Sequence, residues 1–288
     1  MWDQPRHLEL HDEDFANARE LWGRPSARYV ACSSVGVALA HGADGPHLDW
    51  RPASGPFDAS VCWLLDGRQA LFCCPAVGDD HSLTPLRAAW PMLDETDAQA
   101  AVAGVALAAW HADYGFCPVC GSASQVEDGG WTRRCFACGR QHYPRSDPAI
   151  IVSLVDGDDR LLLGSHPDWG KRRSVFAGFV MPGESLEQAV HREVAEETGL
   201  RVRDLRYFGS QPWPFPRALM VAFTGRVDRP DQLHIDQKEI IRADWYTRDE
   251  VRAAWANGDV ETPPPISVAM RLIDAWLDGG TEPLTRPS

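Results

Sequence analysis

The segment from Gly178 to Leu200, GFVMPGESLEQAVHREVAEETGL, constrains this chain more than any other feature. On a helix, Glu193, Glu196 and Glu197 stand at positions i, i+3 and i+4 and therefore share one face. Carboxylates gathered on one patch repel each other unless cations lie among them. Oxygen ligands of this kind suit Mg²⁺ or Mn²⁺, which also bind phosphate oxygens. The segment therefore predicts a metal site that faces a phosphorylated substrate.

A solvated acidic helix face is the usual interpretation of a glutamate run. Two details favour the metal site instead. Glycines bracket the helix at Gly178, Gly183 and Gly199, and Arg192 is placed to orient a carboxylate. The segment also matches the Nudix box, GX5EX7REUXEEXGU, at every specified position, with Glu184 as its first glutamate. The resemblance implies a hydrolase of that class.

Composition limits the possible classes of protein. The chain has 288 residues, of which 44% are hydrophobic and 24% charged, as expected of a soluble globular protein with one or two domains. A net charge of −13 argues against a broad nucleic-acid-binding surface, although bound metals would still admit an anionic substrate. The N-terminus lacks the pattern of a secretory signal, and the longest apolar stretch, near 98–110, is too short to span a membrane. A cytoplasmic location is expected.

Four of the eight cysteines have the spacing of a zinc site. They form two CxxC pairs separated by fourteen residues, each pair followed by a glycine: Cys117, Cys120, Cys135 and Cys138. This pattern predicts a zinc ribbon with a closed, structural Zn²⁺ site. Two disulfides or buried thiols are the alternative, which a reducing compartment disfavours. The other four lack paired spacing and are expected to be buried as small hydrophobic groups: Cys32, Cys62, Cys73 and Cys74.

The chain is predicted to be a multidomain α+β protein. Short apolar runs separated by turns suggest a β-rich N-terminal domain over 1–95. An Ala-rich connecting helix over 96–112, capped by Asp94 or Thr96, leads into the ribbon at 113–145. Alternating strands and helices over 146–280 predict an α/β/α sandwich. Within it, residues 149–155 read as a buried strand, residues 160–164 as its hairpin partner, and residues 267–277 as a closing helix.

A second motif, SQPWPFPRA, covers residues 210–218. Three prolines at alternate positions make it stiff and exclude a central strand. Trp213 and Phe215 would then lose little entropy when they stack on a planar base. The alternative is an edge loop whose aromatic residues only cover the core.

Together, the ribbon, the box and SQPWPFP resemble the NADH pyrophosphatases of the NudC-like Nudix group. The resemblance covers about 111–280 and departs from the group's SQPWPFPxS motif at Ala218, where the group has serine. It implies hydrolysis of the diphosphate of NADH or NAD⁺ to a nicotinamide mononucleotide and AMP, and in some members removal of NAD caps from RNA 5′ ends. It also implies a homodimer.

The resemblance also implies roles for individual residues. The Mg²⁺ or Mn²⁺ ligands would be the carboxylates of Glu193, Glu196, Glu197 and Glu239 with the carbonyl of Ala177. Either Glu197 or Glu239 would take a proton from the attacking water. The substrate-binding residues would be Arg87, Tyr143, Phe179, Gln211, Pro212, Trp213, Pro214, Phe215, Pro216, Arg217, Ala218 and Ala269.

Two alternatives remain open at this stage. The substrate could be NAD-capped RNA or another nucleoside diphosphate derivative such as ADP-ribose, with Lys171, Arg172, Arg173 and Arg217 meeting an RNA phosphate. The second alternative is a binding module that only senses a nucleotide. Missing box carboxylates would indicate such a module, and here every one is present.

Overall fold

A computed structural model describes residues 8–75, 83–235 and 237–279. The chain divides into two compact units. Of the described residues, the first unit contains those up to Ser146 together with Pro214–Arg217, and the second contains Asp147–Trp213 and those from Ala218 onward. Within the described ranges, no helix has both the length and the hydropathy that a bilayer-spanning segment needs.

The described part of the first unit contains two mainly antiparallel sheets and four α-helices. The larger sheet has the order β3-β2-β1-β6-β5, with β4 paired to β1 and β7 to β2, and the smaller has the order β10-β9-β8. The β-rich N-terminal region is thereby confirmed. The strands are β1 Arg28–Cys32, β2 Gly36–Gly42, β3 Gly45–Leu48, β4 Arg51–Pro52, β5 Trp63–Asp66, β6 Leu71–Pro75, β7 Leu83–Pro85, β8 Ser124–Glu127, β9 Thr132–Cys135 and β10 Gln141–His142. The helices are α1 Asp12–Ala16, α2 Ala18–Trp22, α3 Leu86–Ala89 and α4 Glu95–Asp113.

The long helix α4 is the predicted Ala-rich helix, and it packs against the larger sheet. Of the two predicted caps, Asp94 accepts a hydrogen bond from the N–H of Asp97 at 2.8 Å. The buried carboxylate of Asp97 accepts in turn from the N–H of Leu48 at 2.7 Å and the indole N–H of Trp50 at 2.8 Å. These charge-assisted bonds fix the start of α4 against the end of β3.

Two of the four cysteines outside the ribbon are not free thiols. Cys62 and Cys74 are joined by a disulfide, whereas Cys32 and Cys73 are unbonded and buried. The antiparallel pairing of β5 with β6 places Trp63 opposite Cys73, so that Cys62 faces Cys74 with their Cα atoms 4.3 Å apart. The prediction of burial was right for all four. The pairing of two of them arises from strand register, which their spacing does not reveal.

The second unit is a mixed sheet covered by helices on both faces, which confirms the predicted α/β/α sandwich. Its strand order is β14-β15-β11-β12-β16, with β13 paired to β11. The strands are β11 Asp147–Val155, β12 Leu161–Ser165, β13 Phe176–Phe179, β14 Val202–Trp213, β15 Ala218–Val227 and β16 Arg242–Tyr246. The helices are α5 Leu186–Thr198, α6 Arg248–Ala256 and α7 Val268–Leu277.

The central strand β11 separates two hydrophobic cores. Ile150, Val152 and Leu154 pack with residues of α5, whereas Ile151 and Val155 pack with residues of α7 on the other face. Successive side chains of a strand point to opposite faces of its sheet, so a strand covered on both sides carries apolar residues on both faces. The predicted buried strand is confirmed for this reason.

The first half of the proline-rich motif lies in an edge strand. Residues 210–213 end β14, which is at the edge of the sheet, and Pro212 lies opposite Leu219 of β15. An edge strand tolerates proline because one side of its backbone has no strand to bond with. The sequence was right to exclude a central strand.

His111, near the end of α4, is a buried neutral histidine in the first unit. Arg133 donates to Nδ1 at 2.9 Å, so the proton belongs on Nε2, which donates to the carbonyl of Gly130 at 2.9 Å. The ring stacks on Trp63 with 4.3 Å between centroids. Burial lowers the pKa of His111 from 6.5 to about 4, because the charged form would lose its hydration.

We therefore expect the protein to lose stability as the pH falls below 6.5. The unfolded chain binds a proton at His111 before the folded chain does, which costs about 2 kcal/mol at pH 5 relative to pH 7.5. The measurement is denaturant unfolding at both pH values for the wild type and for His111→Gln. The variant should lose this part of the pH dependence, and the exposed-site control His41→Gln should keep it. An unchanged pH dependence in His111→Gln would contradict this account.

Candidate active site

Helix α5, which carries the box glutamates, is fixed at its start and along one face. Ser185 caps it by accepting from the N–H of Gln188 at 3.2 Å, and the Gln188 side chain accepts from the N–H of Ser185 at 2.8 Å. Val190 and Val194 are fully buried against the sheet. Because this apolar stripe sets the rotation of the helix, it also sets the directions in which the glutamates point.

Arg192 binds three carboxylates of the box at once. Its guanidinium donates to Glu184 at 2.6 and 2.9 Å, to Glu193 at 2.8 Å and to Glu196 at 3.1 Å. It also donates to the carbonyl of Phe179, the last residue of β13, at 2.9 Å. The planar fork of arginine suits this role because its donors diverge in one plane. Arg192 thus links α5, β13 and the turn between them.

Glu184 is the most tightly held carboxylate of the group. The hydrogen bonds from Arg192 lower its pKa to about 2, with help from the N–H of Met181 at 2.9 Å. It therefore stays ionised at any physiological pH. Glu184 acts as the counter-ion that keeps Arg192 in place.

The side chain of Glu193 lies against the backbone of β13. A Cβ built on Gly178 would lie 2.0 Å from Cδ of Glu193, closer than any two such atoms can approach. A side chain at this position would displace the Glu193 carboxylate, so glycine leaves room for that carboxylate beside β13. Gly178 pairs with Ile150 in the sheet, so the Glu193 carboxylate is held over the strand that precedes the helix.

The predicted metal ligands are gathered only in part. Glu193 and Glu197 are buried, at 9% and 6% exposure, whereas Glu196 reaches solvent. Glu239 is exposed in the segment before β16 and has no hydrogen bond or ion pair to another described residue. Ala177 is in β13, opposite Ile151. Arg192 forms ion pairs with Glu193 and Glu196. Within the described ranges, no three carboxylates lie as close together as the sulfur atoms of the four ribbon cysteines.

Gln211 and Ala269, two of the predicted substrate residues, are buried in the second unit. The Gln211 side chain donates to the carbonyl of Ile266 at 2.7 Å and accepts from the N–H of Val268 at 2.7 Å. It is fully buried and ties the end of β14 to the start of α7. Ala269 lies in α7 within the adjoining core. Through these contacts, Gln211 positions the end of β14 relative to α7.

The tip of the β14–β15 hairpin belongs to the first unit, unlike the strands that lead to it. Trp213 and Ala218 face each other where the strands end. Within the first unit, the guanidinium of Arg87 lies 3.9 Å from the ring centre of Phe215, and Arg217 pairs with Asp113 at 3.4 Å. Of the three prolines, Pro214 is buried, and Pro212 and Pro216 are exposed.

The remaining predicted substrate residues are exposed aromatic side chains. Phe179 ends β13 and is 60% exposed, and Tyr143 follows the ribbon and is 61% exposed. Large aromatic side chains that remain in solvent are available for stacking on a planar ligand.

The four ribbon cysteines form a metal-binding geometry. Their sulfur atoms all lie within 4.8 Å of one another, with 3.8 Å between Cys117 and Cys138 and 3.4 Å between Cys120 and Cys135. Tetrahedral Zn²⁺ with bonds of about 2.3 Å requires sulfurs about 3.8 Å apart. The glycines after each pair have φ of 74° and 69°, which makes the tight turns possible. The donor set therefore fits Zn²⁺.

Sequence reasoning missed a fifth residue at this centre. Nε2 of His142 lies 3.3 Å from the sulfur of Cys117. An N–H donor at a coordinating sulfur fixes the direction of that ligand. The CxxC spacing gives no sign of it, because His142 reaches the centre through the pairing of β10 with β9.

The basic run at 171–173 does not form an exposed cluster. Lys171 donates to the carbonyl of Gly258 at 2.9 Å, Arg172 lies over the Trp169 ring, and Arg173 is buried at 9% exposure. The suggestion that these residues meet an RNA phosphate together was wrong for Arg173, since its side chain points into the protein.

Comparisons with known protein families give two matches, one over the Nudix box and one over the CxxC pairs. Residues 145–264 match the NUDIX domain, and residues 112–143 match the NADH pyrophosphatase zinc ribbon domain. The NAD-capped RNA hydrolase NudC of Klebsiella pneumoniae is 42% identical over 239 residues, which cover 78% of this chain and 88% of that protein. The chain belongs to the NudC family. The NUDIX match includes the whole segment that carries the Nudix box.

Other NudC relatives match a smaller part. The NAD-capped RNA hydrolase NudC of Mycobacterium bovis BCG Pasteur is 42% identical over 200 residues, which cover 66% of this chain and 64% of that protein. The chain thus spans less than two thirds of this relative's length. A NUDIX hydrolase structure from Nitrosomonas europaea is 28% identical over 50% of this chain and 98% of its own, with a TM-score of 0.37.

We expect Cys117→Ser to lose zinc and to lower the melting temperature before it affects hydrolysis chemistry, because structural zinc contributes folding free energy. Zinc content by mass spectrometry and thermal unfolding of the same samples provide the test. Cys32→Ala is the matched control and should retain one zinc per chain, because Cys32 is a buried thiol outside the cluster. Full zinc content in Cys117→Ser would disprove the assignment.

We expect Gly178→Ala to weaken divalent-metal binding by about tenfold or more, as does loss of other groups that orient metal ligands. The added methyl group would displace the Glu193 carboxylate. Calorimetric titration with Mn²⁺ measures the effect. Gly157→Ala serves as the control, because its Cβ would meet no atom within 4 Å. Equal Mn²⁺ affinity in both variants would rule out the proposed constraint.

Proposed function

We propose that this NudC-family chain is a metal-dependent NAD(H) diphosphatase, which hydrolyses NADH or NAD⁺ to a nicotinamide mononucleotide and AMP. The observation that carries the proposal is the complete box with its carboxylates organised around Arg192. The zinc ribbon named for NADH pyrophosphatases and the SQPWPFP segment support this choice of substrate.

Mg²⁺ or Mn²⁺ is the proposed catalytic cofactor. Glu193, Glu196, Glu197 and Glu239, with the carbonyl of Ala177, would hold it. The fit is chemical: these are hard oxygen donors, and Gly178 leaves room for the Glu193 carboxylate beside β13. A bound divalent cation would neutralise the charge of the diphosphate and so favour nucleophilic attack.

The chain's own residues would position the substrate and move the proton. Arg192 orients the carboxylates, and either Glu197 or Glu239 would accept the proton of the attacking water. Phe179 and Trp213 would stack on one ring of the dinucleotide. Gln211 would hold the strand that carries Trp213 in register with α7.

NAD-capped RNA is a second candidate substrate, favoured by the activity named for the relatives from Klebsiella and Mycobacterium. Turnover of NADH and of NAD-capped RNA at several salt concentrations separates the two. Each RNA phosphate contact releases counterions, so activity on RNA should fall steeply with salt if the body of the RNA is bound. If turnover of NADH and turnover of NAD-capped RNA both fall only slightly with salt, the protein recognises the NAD cap and not the body of the RNA.

A cytoplasmic homodimer is also part of the proposal. The four ribbon cysteines are reduced, which a reducing compartment such as the cytoplasm favours, and this supports the location even though Cys62 and Cys74 form a disulfide. Three exposed apolar side chains of the ribbon, Phe116, Val119 and Phe136, support burial of its surface against another protein. Light scattering during size-exclusion chromatography would measure the oligomeric state.

The proposed activity is tested by chromatography of the products after incubation with NADH and Mg²⁺ or Mn²⁺. We expect AMP and the reduced nicotinamide mononucleotide in equal amounts. A chelator such as EDTA should stop the reaction while the ribbon keeps its zinc, because open carboxylate sites exchange faster than closed thiolate sites. Hydrolysis that continues in excess chelator would refute the metal mechanism.

Glu197→Gln and Trp213→Ala should have different kinetic effects on NADH. The first removes a charge at the reacting centre and should lower kcat by about a hundredfold or more. The second removes a stacking surface and should mainly raise KM, by about tenfold, with a smaller fall in kcat. Steady-state kinetics with NADH measure kcat and KM for both variants. Wild-type values for Trp213→Ala would show that the segment only covers the core.

A further inference from the structure

Two large apolar side chains of the Nudix box remain in solvent, only one residue apart. Phe179 is 60% exposed and Met181 is 54% exposed. Phe179 is a proposed stacking residue, whereas Met181 has no role in the site described above. Contiguous exposed apolar side chains mark binding surfaces more often than scattered ones do.

The side-chain alternation of β13 decides which way Phe179 points. Phe176 and Val180 pack in the core on the α5 side of the sheet. Gly178 faces the same side, because a Cβ built on it would meet Glu193 of α5. Alternate residues of an extended chain share a face, so Phe179 lies on the face turned away from α5.

Met181 continues this alternation beyond the end of β13. The N–H of Val180 donates to the carbonyl of Pro148 at 3.1 Å, which extends the pairing with β11 by one residue. Met181 precedes Pro182, and a residue before proline is restricted to extended backbone. The side chains of Phe179 and Met181 therefore project from the same face.

The backbone of Met181 is fixed by a tight turn. Its carbonyl accepts from the N–H of Glu184 at 3.0 Å, with Pro182 and Gly183 between them. Gly183 has φ of 93°, so the order of residues and this positive φ are those of a type II turn. The Glu184 carboxylate also accepts from the N–H of Met181 at 2.9 Å. Both backbone groups of Met181 are thus bound to Glu184.

The carboxylate network anchors the other end of this short segment. Arg192 donates to the carbonyl of Phe179 at 2.9 Å, and the same guanidinium binds Glu193 and Glu184. Phe179 and Met181 are therefore held next to the proposed metal ligands by the group that orients them. A surface on a fixed backbone loses little conformational entropy when a ligand binds.

The chemistry of the two side chains suits a planar heteroaromatic ring. Side chains two residues apart in an extended segment are separated by about 6.5 Å, so one ring can contact both. Phenylalanine stacks on such a ring, and the polarisable thioether of methionine makes favourable contacts with aromatic groups. In a dinucleotide, each ring is joined to the diphosphate through one ribose. A diphosphate bound at the box carboxylates therefore brings a ring within reach of this segment.

We propose that Met181 is a substrate-contact residue, which forms with Phe179 the surface that receives one ring of the dinucleotide. This inference rests on the proposed NAD(H) diphosphatase activity and adds a residue that sets the affinity for the substrate. It also gives Glu184 a second task, because the carboxylate that holds Arg192 in place also fixes the backbone that presents Met181.

The test is steady-state hydrolysis of NADH by the full-length, zinc-loaded protein with Mg²⁺. Met181→Ala should raise KM by about fivefold, because it removes the thioether contact, and should leave kcat within about twofold of the wild type. Met181→Leu keeps the apolar volume and should restore most of the affinity. Met92→Ala removes another exposed methionine, in the first unit, and should behave like the wild type.

A merely structural role of Met181 predicts a different result. Loosening of the turn would disturb Glu184 and Arg192, so kcat and the affinity for Mn²⁺ would fall together with little effect on KM. Calorimetric titration with Mn²⁺ measures the second quantity, which should be unchanged in Met181→Ala. A fall in kcat and in Mn²⁺ affinity at constant KM would overturn the proposal.

Inhibition by the two products identifies the ring. The inhibition constant of either AMP or nicotinamide mononucleotide should rise by about fivefold in Met181→Ala, and that of the other should stay the same. If both constants are unchanged, Met181 contacts neither ring and the inference is wrong.

Failure of this inference is distinct from failure of the proposed function. A wild type that hydrolyses NADH, with the same KM as Met181→Ala, would overturn the role of Met181 and leave the activity intact. A wild type that does not hydrolyse NADH would overturn the activity. The Kd of NADH, followed by its own fluorescence, then tests Met181 directly, and equal values in the wild type and Met181→Ala would reject the contact.

Discussion

The charge of Arg192 makes the candidate active site possible. Helix geometry forces the box carboxylates together, and without a cation among them their repulsion would oppose folding of α5 in this position. One guanidinium reaches Glu184, Glu193 and Glu196 and also the backbone of β13. The consequence is that a side chain of the protein itself holds these carboxylates, and a cation bound among them would displace only part of an existing network.

Much of this structure could be predicted because its determinants are local in the sequence. The box helix α5, the mainly apolar run of β11 and the two CxxC pairs are each determined by residues close together in the sequence. Periodicity and spacing report such short-range constraints directly. The Nudix box is of the same kind, since one turn-and-helix segment supplies most of its residues.

The features that escaped prediction depend on which strands become neighbours. The disulfide between Cys62 and Cys74 follows from the register of β5 and β6, and the contact of Gly178 with Glu193 follows from the packing of α5 on β13. Arg173 belongs to a basic run that the sequence suggested for contact with an RNA phosphate, yet its side chain is buried inside the fold. Glu239 lies outside the box. Its distance from the box along the sequence could not show how far its carboxylate lies from the box carboxylates.

The edge position of β14 has a consequence for the behaviour of the protein at high concentration. An exposed strand edge can recruit a strand of another molecule and so begin aggregation. Pro212 lies within this strand and has no N–H to offer, so an incoming strand would meet a gap in the hydrogen-bond ladder. The missing N–H of Pro212 thus protects this edge of the sheet from strand-to-strand aggregation.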